Sequence, residues 1–322
     1  MGRTMPDVTF GPVPSRRLGQ SLGINNIPPK ACTYSCVYCQ IGATRSMRVK
    51  RRAFHDAATL VDAVRVKVDG ARSRGEVVDY LTFVPDGEPT LDLYLGWELW
   101  QLSRLGIRTA VITNATLLWQ PEVREDLLGA DWVSLKIDSV RENTWRAINR
   151  PHRSLRLGQV LEGIREFARD FSGQLTTETM VVGGINDERE ELDDIARFIG
   201  EIAPDRSYLS VPTRPPAVKS VGRPTEQSIT EGFASFKQRI ENVEYLVGYE
   251  GNAFASSGSP ESDLLSITAV HPMKLQAVCR LLERAGSDWS VVQNLLDSGD
   301  LVETAYCGDH FYTRSFSAPE EQ

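Results

Sequence analysis

Three cysteines within eight residues constrain this chain more than any other feature of its sequence. Cys32, Cys36 and Cys39 follow the spacing C-x3-C-x2-C, and an aromatic residue, Tyr38, stands directly before the last of them. Thiolate is the soft ligand that zinc and iron–sulfur clusters prefer, so the spacing predicts a metal site on a single loop. The chain has five cysteines in all, which is too few for a framework of disulfides.

A structural zinc site, a disulfide and three unrelated core cysteines are alternative interpretations of this motif. Structural zinc requires a fourth protein ligand, and the remaining cysteines, Cys279 and Cys307, lie far downstream. Three ligands on a cubane iron–sulfur cluster leave one iron with an open position. The motif therefore favours an iron–sulfur centre that can bind a further molecule.

The composition is that of an ordinary globular protein. The chain has 322 residues, of which 41% are hydrophobic and 25% charged, close to the averages for globular domains. No stretch approaches the roughly 18 apolar residues of a membrane span, and the first residues lack the apolar core of a secretory signal. We therefore expect a cytoplasmic protein in a reducing compartment, with no membrane partner.

Apolar stretches of strand length alternate with amphipathic stretches of helical length. The predicted strands are residues 21–27, 79–84, 108–113, 132–137, 175–182 and 207–211. The predicted helices include residues 57–68, 94–105, 121–128, 160–170 and 188–202. Six strand–helix units predict an α/β fold with a parallel sheet, whose chemistry gathers at the carboxyl ends of the strands. The first strand leads into the cysteine loop and places the metal site at that end.

The cysteine motif resembles that of the radical S-adenosylmethionine (SAM) superfamily. In that superfamily three cysteines hold one 4Fe–4S cluster, and SAM binds the fourth iron through its amino and carboxylate groups. The resemblance assigns Cys32, Cys36 and Cys39 as cluster ligands and catalytic residues. It also implies a partial barrel of six β/α units, reductive cleavage of SAM to a 5′-deoxyadenosyl radical, and hydrogen abstraction from a substrate. An external electron donor such as flavodoxin or ferredoxin would supply the electron.

The turn after the second predicted strand resembles a SAM-binding segment of the superfamily. Residues 84–90, Val-Pro-Asp-Gly-Glu-Pro-Thr, are similar to its Gly-Gly-Glu-Pro segment, with Asp86 in place of the first glycine. The resemblance implies that Gly87 lets the backbone approach SAM closely and that Glu88 lies near the amino group of SAM. A tight turn rich in Asp, Gly and Pro is the alternative interpretation.

Polar residues at other strand ends are further candidates for SAM binding. Ser134, Lys136 and Asp138 alternate with apolar residues along the fourth strand and share one face. SAM would give them partners: Ser134 or Asp138 at the ribose hydroxyls, and Lys136 at the carboxylate. A buried Lys136–Asp138 network that only shapes the barrel is the alternative.

The resemblance adds three positions to the predicted SAM site. These are Asn114 after the third strand, Val211 after the sixth, whose backbone would face the adenine, and Tyr38, which would pack near the adenine. An equally good interpretation of Tyr38 is a loop aromatic that fills core space. Residues 181–187, Val-Val-Gly-Gly-Ile-Asn-Asp, are similar to the segment that lines the adenine in the superfamily.

Two segments are basic, although the whole chain carries a net charge of −7. Residues 45–52 contain five lysines or arginines, and residues 141–156 contain five arginines against one acid, Glu142. Because arginine binds phosphate and carboxylate through two parallel hydrogen bonds, we favour RNA slightly as the substrate. A peptide or protein is the alternative substrate, and a solvated, salt-bridged surface is the alternative interpretation of each segment.

The sequence predicts two domains joined by a linker. We expect the radical SAM partial barrel, with its N-terminal arm and cysteine loop, at residues 1–250, a Gly/Ser-rich linker at 251–262, and a small domain at 263–322. Predicted helices at 272–285 and 288–296, followed by strands at 301–305 and 311–315 around Gly308-Asp309, resemble a winged-helix module.

The acidic character of the tail bears on its partners. From Glu261 onward there are ten acidic and four basic residues, so we expect no DNA binding, because affinity for phosphate requires cations. Peptide presentation or packing beside the barrel mouth fits this charge better. A metal site at Cys279, Cys307, His271 and His310 is a further alternative.

Residues 10–19, the cysteine loop and the acidic tail together resemble one branch of the superfamily. That branch is labelled iron–sulfur oxidoreductase and is grouped with the wyosine-base synthases that act on tRNA. Those enzymes use additional cysteines for a second cluster, and no cysteine precedes Cys32 here. Three functions remain open: modification of an RNA base, modification of a peptide or protein side chain, and a non-catalytic regulator that binds the cluster and SAM.

Overall fold

A computed structural model describes residues 8–246 and 258–315 of the chain. Its strands, in chain order, are β1 Thr9–Ser15, β2 Gly19–Ile24, β3 Ala31–Cys32, β4 Ser46–Met47, β5 Tyr80–Phe83, β6 Arg108–Thr113, β7 Trp132–Lys136, β8 Gln174–Met180, β9 Arg206–Ser210, β10 Val243–Leu246, β11 Met273–Lys274, β12 Leu301–Tyr306 and β13 Asp309–Arg314. Its α-helices are α1 Ala57–Ser73, α2 Leu95–Ser103, α3 Pro121–Leu127, α4 Glu142–Asn149, α5 Leu157–Asp170, α6 Arg189–Ile202, α7 Glu226–Lys237, α8 Pro260–Val270, α9 Leu275–Arg284 and α10 Ser290–Asp297.

An eight-stranded sheet in the order β1-β2-β5-β6-β7-β8-β9-β10 forms the centre of the molecule. The strands from β2 to β10 are parallel, and β1 pairs antiparallel with β2 at one edge. Because β1 and β10 end the order, the sheet is open, as in a partial barrel. The six predicted parallel strands correspond to β2, β5, β6, β7, β8 and β9, so the predicted α/β fold is confirmed.

The two faces of the sheet differ in polarity. Val133 and Leu135 of β7 are fully buried in the apolar core between sheet and helices. Ser134 and Lys136 alternate with them and face the other side, as the two-residue period of a strand requires. The inner face of the curved sheet therefore carries the polar groups at the carboxyl ends of the strands.

The edge strands β1 and β10 are not among the predicted strands. The β1 segment contains Gly11, Pro12 and Pro14, which usually mark turns rather than strands. Strand β10 has only four residues, and two of them, Glu244 and Tyr245, are exposed. Helices α4 and α7 are likewise absent from the prediction, and α5 begins three residues earlier than predicted, at Leu157.

The C-terminal unit contains α8, a short strand β11, α9, α10 and the β12–β13 hairpin, with a three-stranded sheet in the order β11-β13-β12. Helix α8 begins at Pro260, so the last three residues of the predicted linker are helical, while its residues 251–257 lie outside the described residues. The predicted two helices and hairpin are present, whereas the winged-helix assignment and the domain boundaries stay predictions.

The hairpin turn of this unit lies one residue earlier than predicted. Tyr306 pairs with Asp309, so the turn residues are Cys307 and Gly308. Both have positive φ, 50° and 82°, as a two-residue type I′ turn requires. An apolar core of this unit, which includes Leu264 and Leu281, extends to Phe10 and Val13 of β1. No helix within residues 8–246 and 258–315 has the length and apolar character needed to cross a bilayer.

Candidate cluster and cofactor site

The cysteine loop is fixed by backbone hydrogen bonds on two sides. On one side, β3 pairs with β4, and Arg48 N donates to Cys32 O at 3.1 Å. On the other side, the loop bonds to the end of α4 and the residues after it: Val37 N donates to Ile148 O at 2.9 Å, and His152 N donates to Thr33 O at 2.9 Å. The loop therefore has a defined position before any ligand binds.

The three motif thiols lie close enough together for their charges to interact. Burial raises the pKa of each thiol, and that of Cys36 to about 12. The carboxylates of Glu88 and Asp138 add to this rise at Cys32 and Cys36, respectively. Thiolates at these positions therefore require a cationic partner, which iron supplies.

Two asparagine amides point at the thiols. Asn114 Nδ2 lies 3.5 Å from Cys32 Sγ, and Asn149 Nδ2 lies 3.5 Å from Cys36 Sγ. Donors to coordinated sulfur stabilise its negative charge. Asn114 was predicted at the SAM site from its place after the third strand, whereas Asn149 was not predicted, because it belongs to a helix that the sequence pattern did not indicate.

Within residues 8–246 and 258–315, no group of three His, Cys, Asp or Glu side chains is arranged to hold a single metal ion. The Cys279, Cys307, His271 and His310 set considered for the tail is thus not assembled, and the motif cysteines do not converge on one point. In a 4Fe–4S cluster each thiolate binds a different iron. The three cysteines therefore fit such a cluster by their chemistry, although they do not converge on a single metal ion.

Asp138 connects the cysteine loop to two strand ends. Its Oδ2 accepts hydrogen bonds from Tyr38 OH and, at 2.7 Å, from Asn149 Nδ2. Its Oδ1 accepts from Met180 N at 2.9 Å. The buried amide of Asn186, in the segment predicted to line the adenine, donates to Asp138 O at 2.8 Å. Asp138 therefore positions the loop that carries Cys36 and Cys39.

Glu88 has a similar connecting role. Its buried carboxylate accepts from Thr113 Oγ1 at 2.6 Å, from Thr90 Oγ1 at 2.6 Å and from Asn114 N at 2.8 Å. These bonds join the turn after β5 to the end of β6. Because Asn114 reaches Cys32, the carboxylate acts on the cysteine loop through that side chain.

Gly87 is required by a close backbone contact. A Cβ on Gly87 would lie 1.9 Å from Ala31 O, and Glu88 N donates to the same oxygen at 3.1 Å. The close approach is thus to the start of the cysteine loop, whereas the sequence interpretation assigned it to SAM.

Asp86, which stands where the superfamily has a glycine, forms a buried ion pair. Lys30 Nζ lies 3.3 Å from Asp86 Oδ1, and both residues are almost fully buried. Burial raises the pKa of Asp86 to about 6, although Lys30 lowers it. Burial raises the pKa of Cys39, and the charge of Lys30 lowers it. The Lys30–Asp86 pair therefore lies beside the third cysteine.

Lys136 pairs with Glu178 on the inner face of the sheet. Its Nζ lies 3.1 Å from Glu178 Oε1, which also accepts from Ser210 Oγ at 3.0 Å, while Arg17 pairs with Glu178 Oε2. Although burial opposes it, the two cations hold the pKa of Glu178 well below its usual range. The direct partner of Lys136 is therefore Glu178 on the next strand; Asp138, its partner in the alternative interpretation, acts on it by charge and forms no ion pair with it among the described residues.

A cavity of about 310 Å³ opens beside the charged group formed by Arg17, Lys136 and Glu178. Its volume is within the range of roughly 300–1,000 Å³ that is typical of cofactor and ligand sites. Four of the predicted residues line it, namely Tyr38, Cys39, Lys136 and Val211. The other predicted residues do not line the cavity; they belong to the cysteine loop, support it or are buried nearby. These are Cys32, Cys36, Gly87, Glu88, Asn114, Ser134 and Asp138. Ser134 is fully buried, and its Oγ has no hydrogen-bond partner among the described residues.

The C-terminal unit forms part of the cavity wall. Val270 and His271 line the cavity, and Gln40 Nε2 donates to Val270 O at 3.2 Å. Arg214, after β9, donates to Gln40 Oε1 at 2.8 Å and lies 3.0 Å from His271 Nε2. The predicted packing of the tail beside the barrel mouth is what these contacts show.

Sequence reasoning missed several cavity residues, among them Glu178, Met180 and Arg214. The alternation that marks Ser134 and Lys136 along β7 is absent around Glu178, because its neighbours on β8, Thr177 and Thr179, are polar as well. Arg17 is separated from Glu178 by 161 positions, and no local pattern indicates that pairing.

Comparisons with known proteins show the family of the chain. Residues 26–199 match the family model described as the Radical SAM superfamily. The UPF0026 protein MJ1312 of Methanocaldococcus jannaschii is 41% identical over 316 residues, which cover 98% of each chain.

Solved structures share the fold. A radical SAM methyltransferase from Sphaerobacter thermophilus superposes with a TM-score of 0.53 at 16% identity, over 73% of this chain and 69% of that one. TYW1 with a lysine–pyruvate adduct bound gives a TM-score of 0.50 at 13% identity, over 68% of this chain and 74% of that one. With its motif, its parallel sheet and these matches, the chain belongs to the radical SAM superfamily and is an enzyme of that superfamily.

Proposed function

We propose that the protein binds one 4Fe–4S cluster through Cys32, Cys36 and Cys39, cleaves SAM reductively, and abstracts hydrogen from a substrate with the resulting 5′-deoxyadenosyl radical. The observation that carries this proposal is the position of the cysteine loop. All three thiols lie on one loop at the carboxyl edge of the parallel sheet, and Cys39 lines the cavity.

The residues around the cavity have distinct roles in this proposal. Lys136 lies on the cavity wall and binds the SAM carboxylate, while Tyr38 and the backbone of Val211 contact the adenine. Of the two candidates for the ribose hydroxyls, Asp138 already accepts three hydrogen bonds from the chain. Ser134 Oγ has no hydrogen-bond partner among the described residues, but Ser134 is fully buried and, like Asp138, does not line the cavity.

Glu88 and Asp138 act as positioning residues in this scheme. Glu88 holds Asn114 against Cys32, and Asp138 holds Asn149 and Tyr38 on either side of Cys36. The turn that carries Arg17 and the residues Val270 and His271 enclose the cavity. A substrate bound between them would displace water from the reacting groups, which protects a reactive intermediate from side reactions.

The charge of the cavity favours an anionic substrate. Its lining includes Arg16, Arg17, Lys136, Arg214 and His271, against one carboxylate, Glu178. An RNA nucleotide, which brings phosphate with the base, is the substrate class we favour slightly, and the base would have to leave its stack to enter the cavity. The alternative substrate is a peptide or protein side chain, with a carboxylate of the same peptide or protein bound by the cations of the cavity. We place the reaction in the cytoplasm, where a reducing environment preserves the cluster.

An anaerobic assay tests this proposal. The protein is reconstituted with iron and sulfide, mixed with SAM and dithionite, and assayed for 5′-deoxyadenosine with and without fractionated RNA or peptides. Stimulation by RNA supports the base as substrate, and stimulation by peptides supports the alternative. A cluster that forms while SAM stays intact in every mixture would contradict the enzyme and favour a regulator that only binds SAM.

A further inference from the structure

The two basic segments of the sequence meet on the cysteine loop. Arg48 N donates to Cys32 O, and His152 N donates to the next carbonyl, Thr33 O. An isolated bridge between Tyr34 and Pro151 extends the second contact. Residues 46–52 and 150–156 therefore flank the first part of the motif from opposite sides.

Some cations of these segments have structural partners. Arg51 is largely buried and pairs with Asp126, Arg141 pairs with Asp194, and Arg146 pairs with Glu142. Five of the remaining seven are exposed and form no ion pair with a carboxylate of the described residues; we call these five the basic rim, namely Lys50, Arg52, Arg150, Arg153 and Arg156. The rim gathers five positive charges in a chain whose net charge is −7.

The rim and the cavity border different parts of the loop. The cavity is lined by Tyr38, Cys39, Gln40 and Ile41. The segments of the rim instead bond to the part that contains Cys32, Thr33 and Tyr34. Between the rim segments and the first two thiols lies an apolar cluster that packs against Cys32 and Cys36, composed of Tyr34, Trp145, Leu155 and Leu157. A partner on the rim thus comes close to the thiols without entering the cavity.

We propose that the basic rim is the docking site of an acidic, low-potential electron-carrier protein of the flavodoxin or ferredoxin kind. The proposal rests on the proposed function, which needs one electron for each SAM that is cleaved. The docked carrier loses one electron and is oxidised, and the metal centre behind Cys32 and Cys36 is reduced by that electron. Opposite charges on the two surfaces accelerate their encounter and orient the carrier.

RNA is the other polyanion that a basic surface attracts, and the rim suits it less. Phe54 is the aromatic side chain beside the rim, and the guanidinium groups of Arg48 and Arg52 cover its ring at 5.7 and 5.1 Å from its centroid. Both guanidinium groups therefore compete with a base for this ring. An RNA bound there would also have to reach round the loop to place a base in the cavity.

Charge reversal at one residue of each segment tests the proposal. The variant Lys50→Glu/Arg153→Glu is compared with Arg104→Glu/Arg169→Glu, which makes the same change in charge at exposed arginines of helix ends at the amino edge of the sheet. The first readout is the Kd of an acidic flavodoxin for the protein, with and without the reconstituted cluster, at low and high salt. The second is 5′-deoxyadenosine formation driven by reduced flavodoxin or by dithionite.

We expect the rim variant to lose about tenfold or more in flavodoxin affinity and flavodoxin-driven rate at low salt, with an unchanged dithionite-driven rate. The control variant should match the wild type in all assays. Unchanged flavodoxin binding in the rim variant overturns the proposal, and a selective loss of tRNA binding would identify the rim as an RNA surface instead. If dithionite drives no cleavage even in the wild type, the proposed function fails, while the binding measurement still decides whether the carrier docks here.

Discussion

The backbone N–H of Asn114 donates to Glu88 Oε2 at 2.8 Å, and the side-chain amide of Asn114 lies 3.5 Å from Cys32 Sγ. Glu88 thus acts on the first cysteine through one intervening residue. Hydrogen bonds from Thr90 and Thr113 occupy its other oxygen. In this protein, a residue that resembles part of the SAM site of the superfamily also holds the loop that carries the three motif cysteines.

The variant Glu88→Gln tests this positioning role. In the glutamine an NH2 group replaces one carboxylate oxygen and faces groups that donated hydrogen bonds to that oxygen. We therefore expect a loss of about 1–3 kcal/mol in the free energy of unfolding. Iron content after reconstitution should fall as well. Urea unfolding and iron analysis measure these effects, with Glu122→Gln on the exposed start of α3 as the control. Unchanged stability and iron content would contradict the role.

The variant Gly87→Ala should disrupt the contact between the turn after β5 and the cysteine loop. The added Cβ would meet Ala31 O at 1.9 Å, and neither backbone segment can yield without breaking the hydrogen bond of Glu88 N. We expect destabilisation beyond the about 1–3 kcal/mol of local backbone strain. Gly184→Ala is the control, since its φ is also positive but nothing lies within 4 Å of the added atom. Equal losses in the two variants would show that the contact is unimportant.

The raised pKa of Glu98 should make the stability of the protein depend on pH, whether or not a cluster is bound. Burial, with no hydrogen-bond partner among the described residues, and secondarily the charge of Asp92 raise the pKa of Glu98 to about 9. The unfolded chain releases this proton near pH 4.3, so the folded state binds more protons between about pH 4.3 and 9, and stability falls as pH rises through that range.

The variant Glu98→Gln removes this titration and keeps the shape of the side chain. Relative to the wild type, we expect it to gain about 1 kcal/mol or more in the free energy of unfolding between pH 6 and pH 8.5. Denaturant unfolding of the cluster-free protein at several pH values measures the difference. A constant difference across this range would show that Glu98 is ionised in the fold.

Lys136 and Arg17 both pair with Glu178, but only Lys136 is assigned to the SAM carboxylate. Lys136→Met and Arg17→Met each leave Glu178 with one cation, so both should lose stability. Because a charge-assisted hydrogen bond contributes about 1.5–3 kcal/mol, we expect SAM affinity to fall roughly tenfold or more only for Lys136→Met. Calorimetric titration of the reconstituted variants measures this, and equal losses of affinity would mean that Lys136 serves only as a counter-ion of Glu178.

Local patterns in the sequence predict the elements of this fold better than its long-range contacts. Apolar runs, polar alternation and β-branched composition indicate the six strands from β2 to β9 of the main sheet. They do not indicate β1, whose glycine and prolines resemble a turn, or α8, which follows a Gly/Ser-rich stretch. These elements form because neighbouring units cover them: β1 pairs with β2 on one side and packs against the C-terminal unit on the other.

The same limit applies to the site. The cysteine spacing predicts the cluster ligands, and the polar alternation along β7 predicts a polar inner face. The partners of these groups are another matter: Lys30 pairs with Asp86, Arg17 with Glu178, and Asn149 with Cys36, each across a long stretch of chain. Such pairings arise from the topology of the sheet, which a local pattern does not contain.

Cleavage of SAM by the protein and by its Cys36→Ala variant tests the central claim most directly. Both are reconstituted anaerobically, their iron and sulfide contents and visible absorption are recorded, and 5′-deoxyadenosine is measured after addition of SAM and dithionite. We expect the wild type to bind one 4Fe–4S cluster and to form 5′-deoxyadenosine, and the variant to do neither. A Cys36→Ala protein that still held a complete cluster and cleaved SAM would contradict the account.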